Sequence, residues 1–436
     1  MLKHLFCAVM LLAAGINHAA ECSSGEPAPG VALIVIDGFR PDKFEAADTP
    51  FLDRLAGEGA FTDRARSVNP TITRVNFVTM STGTHVDRHG VVGGAYRDAD
   101  FAERRTDGPT YREAQDMVPV PTLFEILEDH GFRTGMFAMK GYELVGARGA
   151  SVQVGGRDLY PDEIWSYRYT LSVEGSAEEG LRRRIKMNDL LVEALGEVLA
   201  GESLDFFIIN LGATDYVGHI HGPESDAYIR ALEATDTHVG RIARLLSEYD
   251  PGRSWRFIIA SDHGFTQTNE EQVVLPVEVD PHNIPELADA GIEHKLYERG
   301  GRAAEVYLKD RDTHGKAFEI LSALAWVDRI YTEHDIGGRA GTLSELKVLY
   351  PGRHGDFYIM TDPSYALNFA NPGQHGSNDE SDVRIPLIIH APGRVPSNAD
   401  IDNASNADLA PTIAGLLGVE DDRIRAMDGR ALIDLK

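Results

Sequence analysis

The sequence predicts an α/β fold, a mostly parallel sheet covered by helices on both faces. Two observations carry that expectation. Strand-like apolar runs alternate with helical segments along the chain, the signature of parallel strands joined by crossover helices. Three of the runs also lead into residues that bind metals. Val31 to Ile36 ends in Asp37, Phe206 to Leu211 runs toward Asp215 and His219, and Phe257 to Ala260 passes through Ser261 into Asp262 and His263. Parallel sheets bind ligands beyond the carboxyl ends of their strands, so these side chains should converge there, joined by His375.

The elements follow in order. Thr49-Pro50 is a cap followed by proline at the first helical position, opening a helix that stops near Gly57. A turn at Asn69 to Ile72 enters a helix at Thr73. Pro121 to His130 is amphipathic, and Phe132 to Ala138 reads as the next strand. Glu178 to Leu199 and Glu224 to Glu248 are long helices flanking the Phe206 strand. Between His263 and His375 the alternation changes: Ala304 to Leu308, Val327 to Tyr331 and Asp356 to Met360 are short strands, with a helix from Ala317 to Leu324. This stretch, at about 275–370, reads as a small α+β subdomain that returns His375 to the sheet end. Ile385 to His390 is a core strand, and Asp408 to Gly418 a closing helix. Asn398 to Asp408, rich in Asn and Asp, reads as a solvated loop; it lacks the glycine and final glutamate of an EF-hand.

Length alone would allow two or three domains, but the motifs run from one end to the other, so residues 28–436 are expected to form one catalytic domain. With 43% hydrophobic and 25% charged residues, the composition is globular and excludes a disordered chain. Asp and Glu outnumber Lys and Arg by 68 to 42, for a formal net charge of -26. That field disfavours nucleic acid polymers and anionic membranes; a small phosphate-ester substrate would need a local cationic pocket. Lys3 and His4, the apolar Leu5 to Ile16 and the small residues Ala19-Ala20 read as a signal peptide over residues 1–20. The apolar run is shorter than the roughly 20 residues of a membrane span. Cleavage would remove Cys7 and leave Cys22, so a periplasmic or secreted protein without an internal disulfide is expected.

Carboxylates mixed with imidazoles suit two divalent ions, most naturally Zn2+, and two adjacent metals suit phosphoryl transfer. Asp37 before Gly38 would equally serve as a capping residue at a βα turn. Asp215 and His219 are four apart and share one face of a helical turn. His375, between Gly373 and Gly376, has the backbone freedom of a late-arriving ligand.

Several segments together resemble a known family. They are Val31 to Pro41, Thr49 to Ala56, Pro70-Thr-Ile-Thr73, Thr82-Gly83 and His89-Gly-Val-Val-Gly93. Asp215-Tyr-Val-Gly-His219, Ser261-Asp-His-Gly264 and Gln374-His-Gly376 follow in the same order. The family is the nucleotide pyrophosphatase/phosphodiesterases of the alkaline phosphatase superfamily, and the resemblance implies its fold. It also implies one ion held by Asp215, His219 and His375, and a second by Asp37, Asp262, His263 and the hydroxyl of Thr73, the nucleophile of a phosphothreonine intermediate. His89 is not a ligand in the family and is read either as a support behind the ligands or as packing.

One departure stands out. The family places an asparagine, a donor to a phosphate oxygen, where this chain has Gly94. The residues that could bind substrate phosphate instead are Gly94 through its own amide, Arg74 and Lys140. Related monoesterases and phosphonate hydrolases carry a second cation two residues after a lysine in a similar region, where this chain has Tyr142. The expected activity is cleavage of phosphodiester or pyrophosphate bonds in small substrates, with phosphomonoester or phosphonate hydrolysis as the alternative and an inactive binding homologue as a third reading. A sulfatase lacks support, for no Cys or Ser stands at the nucleophile position, and a dinucleotide-binding enzyme lacks its G-x-G-x-x-G after the first strand. The sequence leaves leaving group and oligomeric state open.

Overall fold

The computed structural model describes residues 28–433 except 107–111, 160–176, 270, 276–279, 337–339 and 368–369. The expected signal segment 1–20 and Cys22 lie outside them. Eight strands form the central sheet, in the order Ala399–Asp400, Ala60–Arg66, Arg384–His390, Ser254–Ala260, Pro29–Ile36, Phe206–Leu211, Thr134–Ala138 and Val152–Gly155. Arg384–His390 runs antiparallel to both its neighbours, and the other pairings are parallel.

The central strand explains the layering. Val31, Leu33 and Val35 join one apolar cluster with Phe77, Met80, Phe124, Leu127, Ile413 and Leu417. Ala32, Ile34 and Ile36 join another with Leu52, Leu55, Leu191, Leu195, Val239 and Ile242. Successive side chains of a strand point to opposite faces, so an uninterrupted apolar run is buried only when helices cover both. The helices Thr73–Thr82, Leu123–Asp129 and Leu409–Leu417 cover the first face; Pro50–Glu58, Ala177–Gly201 and Asp226–Tyr249 cover the second. Among the described residues no helix is long and apolar enough to cross a membrane.

The insertion carries its own five-stranded sheet, ordered His294–Glu298, Ala303–Leu308, Phe357–Thr361, Val327–Thr332 and Ala340–Thr342. The helix His314–Ala323 packs on it through Ala317 and Leu321. Buried Arg302 ties this unit to the segment after His375: its guanidinium lies 2.8 Å from Asp379 and 3.4 Å from Asp382, and donates to Ser377 Oγ at 3.2 Å. The backbone N–H of Arg302 donates to the carbonyl of His375.

One expectation needs correction, and one strand was not expected. The segment Asn398 to Asp408 is not a solvated loop. Ala399–Asp400 pairs with the strand Ala60–Arg66, and Ala404, Asn406 and Asp408 are buried. The Asn406 amide donates to the carbonyls of Ser261 and Asp262 and to Asn76 Oδ1, so its polarity is spent inside the protein. The strand Ala60–Arg66 itself carries Thr62, Asp63, Arg64 and Arg66, and this polar pattern hid it from an apolar-run reading.

His89 is a packing residue. Its Nδ1 accepts from the Val91 N–H at 3.1 Å, so its Nε2–H faces Thr79 Oγ1, also at 3.1 Å. Burial, followed by the neighbouring His85, lowers its pKa to about 3. An unfolded histidine titrates near 6.5, so between these values the folded protein binds fewer protons than the unfolded chain. Stability from this residue is therefore complete above about pH 6.5 and declines as the pH falls, by on the order of 2 kcal/mol at pH 5. Urea unfolding of His89→Gln should show a smaller loss between pH 7.5 and pH 5 than the parent protein; an unchanged difference would contradict the assignment.

Candidate active site

At the carboxyl ends of the central strands the structure brings together Asp37, Thr73, Lys140, Asp215, His219, Asp262, His263 and His375. Apart from His219 at the rim, all are almost fully buried. Asp37 directly follows its strand, and Gly38 after it turns the chain at φ 67°, a left-handed conformation natural to glycine. The Gly38 N–H then donates to Asp262 Oδ1 at 3.1 Å, which locks two strand ends together. Asp215 sits in the first turn of the helix Ala213–His221, which presents His219 one turn later on the same face.

The three histidines are oriented alike. His263 Nδ1 faces the Gly264 carbonyl at 2.9 Å, His219 Nδ1 that of Gly373 at 2.9 Å, and His375 Nδ1 that of Thr71 at 2.7 Å. A carbonyl only accepts, so each Nδ1 carries a proton, and in the neutral ring each Nε2 turns a lone pair inward. Those lone pairs meet carboxylates. Asp215 Oδ1 lies 3.4 Å from His219 Nε2, 3.8 Å from His263 Nε2 and 3.7 Å from His375 Nε2. His263 Nε2 is also 3.5 Å from Asp37 Oδ1 and from Asp262 Oδ2. Asp215 Oδ1 and Asp262 Oδ2 are buried and accept no hydrogen bond. Acceptors converging on acceptors, with two carboxylate oxygens orphaned, is the environment a bound cation completes.

The ligand atoms fall into two groups, Asp215 with His263 and His375, and Asp37 with Asp262 and His263; within each, the atoms lie within 4.8 Å of one another. His263 thus stands between the groups rather than in one of them, a position that sequence order does not disclose. His219 adjoins the first group through Asp215. The rings of His263 and His375 stack at 3.6 Å, and burial foremost holds His375 well below the ordinary imidazole range.

Thr73 is the first residue of the helix Thr73–Thr82. Its hydroxyl lies 3.3 Å from His263 Nε2. Thr71, the other threonine of this turn, is committed elsewhere: its hydroxyl donates to the Ser377 carbonyl and accepts from the Gly376 N–H. Gly376, at φ 114°, lets the chain pass so close to Arg299 that an added Cβ would fall 1.8 Å from its carbonyl oxygen.

Lys140 reaches the centre itself. Its ammonium lies 2.8 Å from Asp37 Oδ2 and 2.7 Å from Asp215 Oδ2, and donates to Thr73 Oγ1 at 3.2 Å. Burial alone would raise the Asp215 carboxyl, but Lys140 foremost holds it well below the usual carboxylate range. Asp37 is displaced upward by burial, then by Asp262. Arg74 lies against Gly94: a Cβ added there would stand 2.4 Å from Arg74 Nη1, so the guanidinium fills the space a side chain at 94 would enter.

Supporting residues that sequence reading passed over include Asn210, whose amide donates to Asp37 Oδ2 at 3.0 Å, and Ser261, which accepts from the Phe39 N–H. Asn210 left a signal, a lone amide inside the apolar run Phe206–Leu211.

Comparison with known proteins gives the family. Residues 31–380 match the family model described as type I phosphodiesterase / nucleotide pyrophosphatase. The chain is 23% identical to ectonucleotide pyrophosphatase/phosphodiesterase family member 7 of Rattus norvegicus, over 88% of this chain and 83% of the relative. It is 24% identical to the human bis(5'-adenosyl)-triphosphatase ENPP4, over 61% of this chain and 54% of the relative. Its fold matches that of human ectonucleotide pyrophosphatase/phosphodiesterase 5, with a TM-score of 0.67 at 18% identity, covering 93% of this chain and 100% of the other. The murine protein, solved in an inactive form in complex with AMP, matches with a TM-score of 0.66, again at 18% identity and with the same coverage. With the family model spanning most of its length, the chain belongs to the type I phosphodiesterase / nucleotide pyrophosphatase family and is a hydrolase acting on phosphoric ester bonds.

Proposed function

We propose that this protein cleaves phosphodiester or pyrophosphate bonds of small substrates through a phosphothreonine intermediate on Thr73. The observation that carries the reading is the buried acceptor cluster around the Thr73 hydroxyl. Asp37, Asp262 and His263, with Thr73 Oγ1, would hold one divalent cation, and Asp215, His219 and His375 a second. Such ions, zinc by their fit to this donor set, would lower the pKa of the hydroxyl and neutralise phosphate charge when bound.

The chain's own residues supply the rest. Thr73 stands where the first amides of its helix, with the positive end of the helix dipole, face an incoming phosphate. Its Oγ forms a bond to phosphorus as the bond to the leaving oxygen breaks, and water then hydrolyses the phosphothreonine. Two in-line displacements retain configuration at phosphorus. The carbonyls of Thr71, Gly264 and Gly373 keep the imidazoles in one tautomer, which spares the site that reorganisation during turnover.

Small nucleotide-like substrates fit the names of the relatives, one a bis(5'-adenosyl)-triphosphatase and one solved with AMP. The expected N-terminal signal would place the enzyme in the periplasm or outside the cell. One observation favours phosphomonoester hydrolysis as the second reading: the Lys140 ammonium beside Thr73 is a cation of the kind an extra phosphate charge needs. Relative rates on bis-nitrophenyl phosphate, nitrophenyl thymidine phosphate, nitrophenyl phosphate and a phosphonate separate the readings. The diesters should lead by at least about tenfold, a 1.4 kcal/mol preference; a monoester in the lead selects the second reading.

Thr73→Ala should lower turnover by at least about a thousandfold without a matching loss of fold, while Thr73→Ser retains part of it. A phosphoenzyme mapped by mass spectrometry to Thr71 would contradict the assignment. Removing divalent ions with a chelator should lower Tm by several degrees, about 3 kcal/mol or more for a chain of this size, with recovery on adding zinc. An unchanged Tm would show that the cluster needs no cation. Gly94→Asn should leave diester turnover unchanged or lower it, because the new side chain meets Arg74, whereas Arg74→Ala should cost about tenfold as a charge-assisted contact is lost. A faster Gly94→Asn enzyme beside an unaffected Arg74→Ala enzyme would show that Arg74 does not replace the missing asparagine.

A further inference from the structure

Lys140 is the group in this centre that a purely metal-holding site does not require. It leaves the strand Thr134–Ala138 two residues after its end, and its backbone N–H is pinned by Glu143 Oε1 at 3.0 Å. Its side chain is 97% buried and ends among the groups that face the proposed cations. The ammonium touches both oxygens of Asp37, at 2.9 and 2.8 Å, as well as Thr73 Oγ1 and Asp215 Oδ2. It does not satisfy every acceptor of the centre: Asp215 Oδ1 and Asp262 Oδ2 remain without a donor.

We propose that Lys140 is a built-in cation that holds the Asp37–Thr73 side of the centre and competes with the divalent ion there. That position then fills at a higher free-metal concentration than the position formed by Asp215, His219 and His375. The inference rests on the two-cation reading of the site. An ammonium and a divalent ion cannot both sit within contact distance of Asp37 and Thr73 without strong repulsion at low dielectric. The lysine must therefore withdraw before the second ion binds, and because three of its four contacts are to Asp37 and Thr73 and one is to Asp215, the cost falls mainly on that position. The same ammonium neutralises the carboxylates while the ion is absent, so it stabilises the metal-free protein.

The test is zinc titration of the metal-stripped full-length protein, followed by calorimetry and elemental analysis, for the parent, Lys140→Met and Lys140→Gln. The parent should bind zinc in two separable steps. Both variants should bind the second ion at least about tenfold more tightly, and their Tm should fall in chelator while equalling or exceeding the parent's in saturating zinc. A lysine with a merely packing role would lower Tm under both conditions and leave the second step unmoved, which would overturn the proposal. Two equal steps in the parent would overturn it as well, even if neither variant folds. Metal-dependent diester hydrolysis by a parent whose second step is indifferent to Lys140 would overturn this inference and leave the proposed function standing. A parent that binds no zinc would remove both.

Discussion

The site turns on one electrostatic problem: a buried cluster at the end of a sheet in which acceptors face acceptors. Asp37, Asp215 and Asp262 bring negative charge, and His219, His263 and His375 bring imidazole lone pairs rather than protons, because each Nδ1–H is spent on a backbone carbonyl. Burying even one uncompensated carboxylate oxygen is expensive, and here two lack donors. Under the proposed function, bound cations would remove that penalty. Lys140 meets part of the demand from within the chain, and the remainder is left for divalent ions.

The scaffold explains how residues 37 and 375, so distant in sequence, share one cavity. The parallel strands deliver Asp37, Asp215 and the Asp262-His263 pair to the same edge. His375 comes from outside the sheet, at the end of the insertion, and three contacts hold it. Its N–H donates to the Gly300 carbonyl, its carbonyl accepts from the Arg302 N–H, and its ring donates to Thr71. Thr71 therefore couples the late ligand to the turn that presents Thr73, two residues on. Substitutions at Thr71 or Arg302 would disturb the centre without touching a substrate.

Much of this was legible in the sequence. Apolar runs ending in Asp or Asp-His gave the sheet and the ligand-bearing strand ends, because strands buried on both faces must be apolar and their ends must be where polar chemistry begins. The strand Ala60–Arg66 was not legible, since a strand near the sheet edge tolerates Asp63 and Arg64 at its exposed positions. Nor was the buried character of Ala404 to Asp408: Asn406 looks like loop chemistry until its amide is seen to satisfy the carbonyls beside Asp262. Lys140 was recognisable as a cation near the site, but its contact with Asp37, Asp215 and Thr73 depends on the direction in which the chain leaves its strand, which no local pattern encodes. Arg74 and Gly94 were each singled out in the sequence, but that the guanidinium fills the space beside Gly94 is visible only in the fold.

The measurement that bears most directly on the cation-centred account is a crystal structure of the zinc-loaded protein with anomalous scattering recorded at the zinc edge. The account predicts two anomalous peaks, one at about 2.0–2.2 Å from atoms of Asp37, Thr73, Asp262 and His263 and one at a like distance from Asp215, His219 and His375. In that structure Asp215 Oδ1 and Asp262 Oδ2 would no longer be orphaned, and the Lys140 ammonium would have left Asp37. A zinc-soaked crystal without anomalous density in this cavity, in which protein or water donors satisfy the same two oxygens, would contradict it.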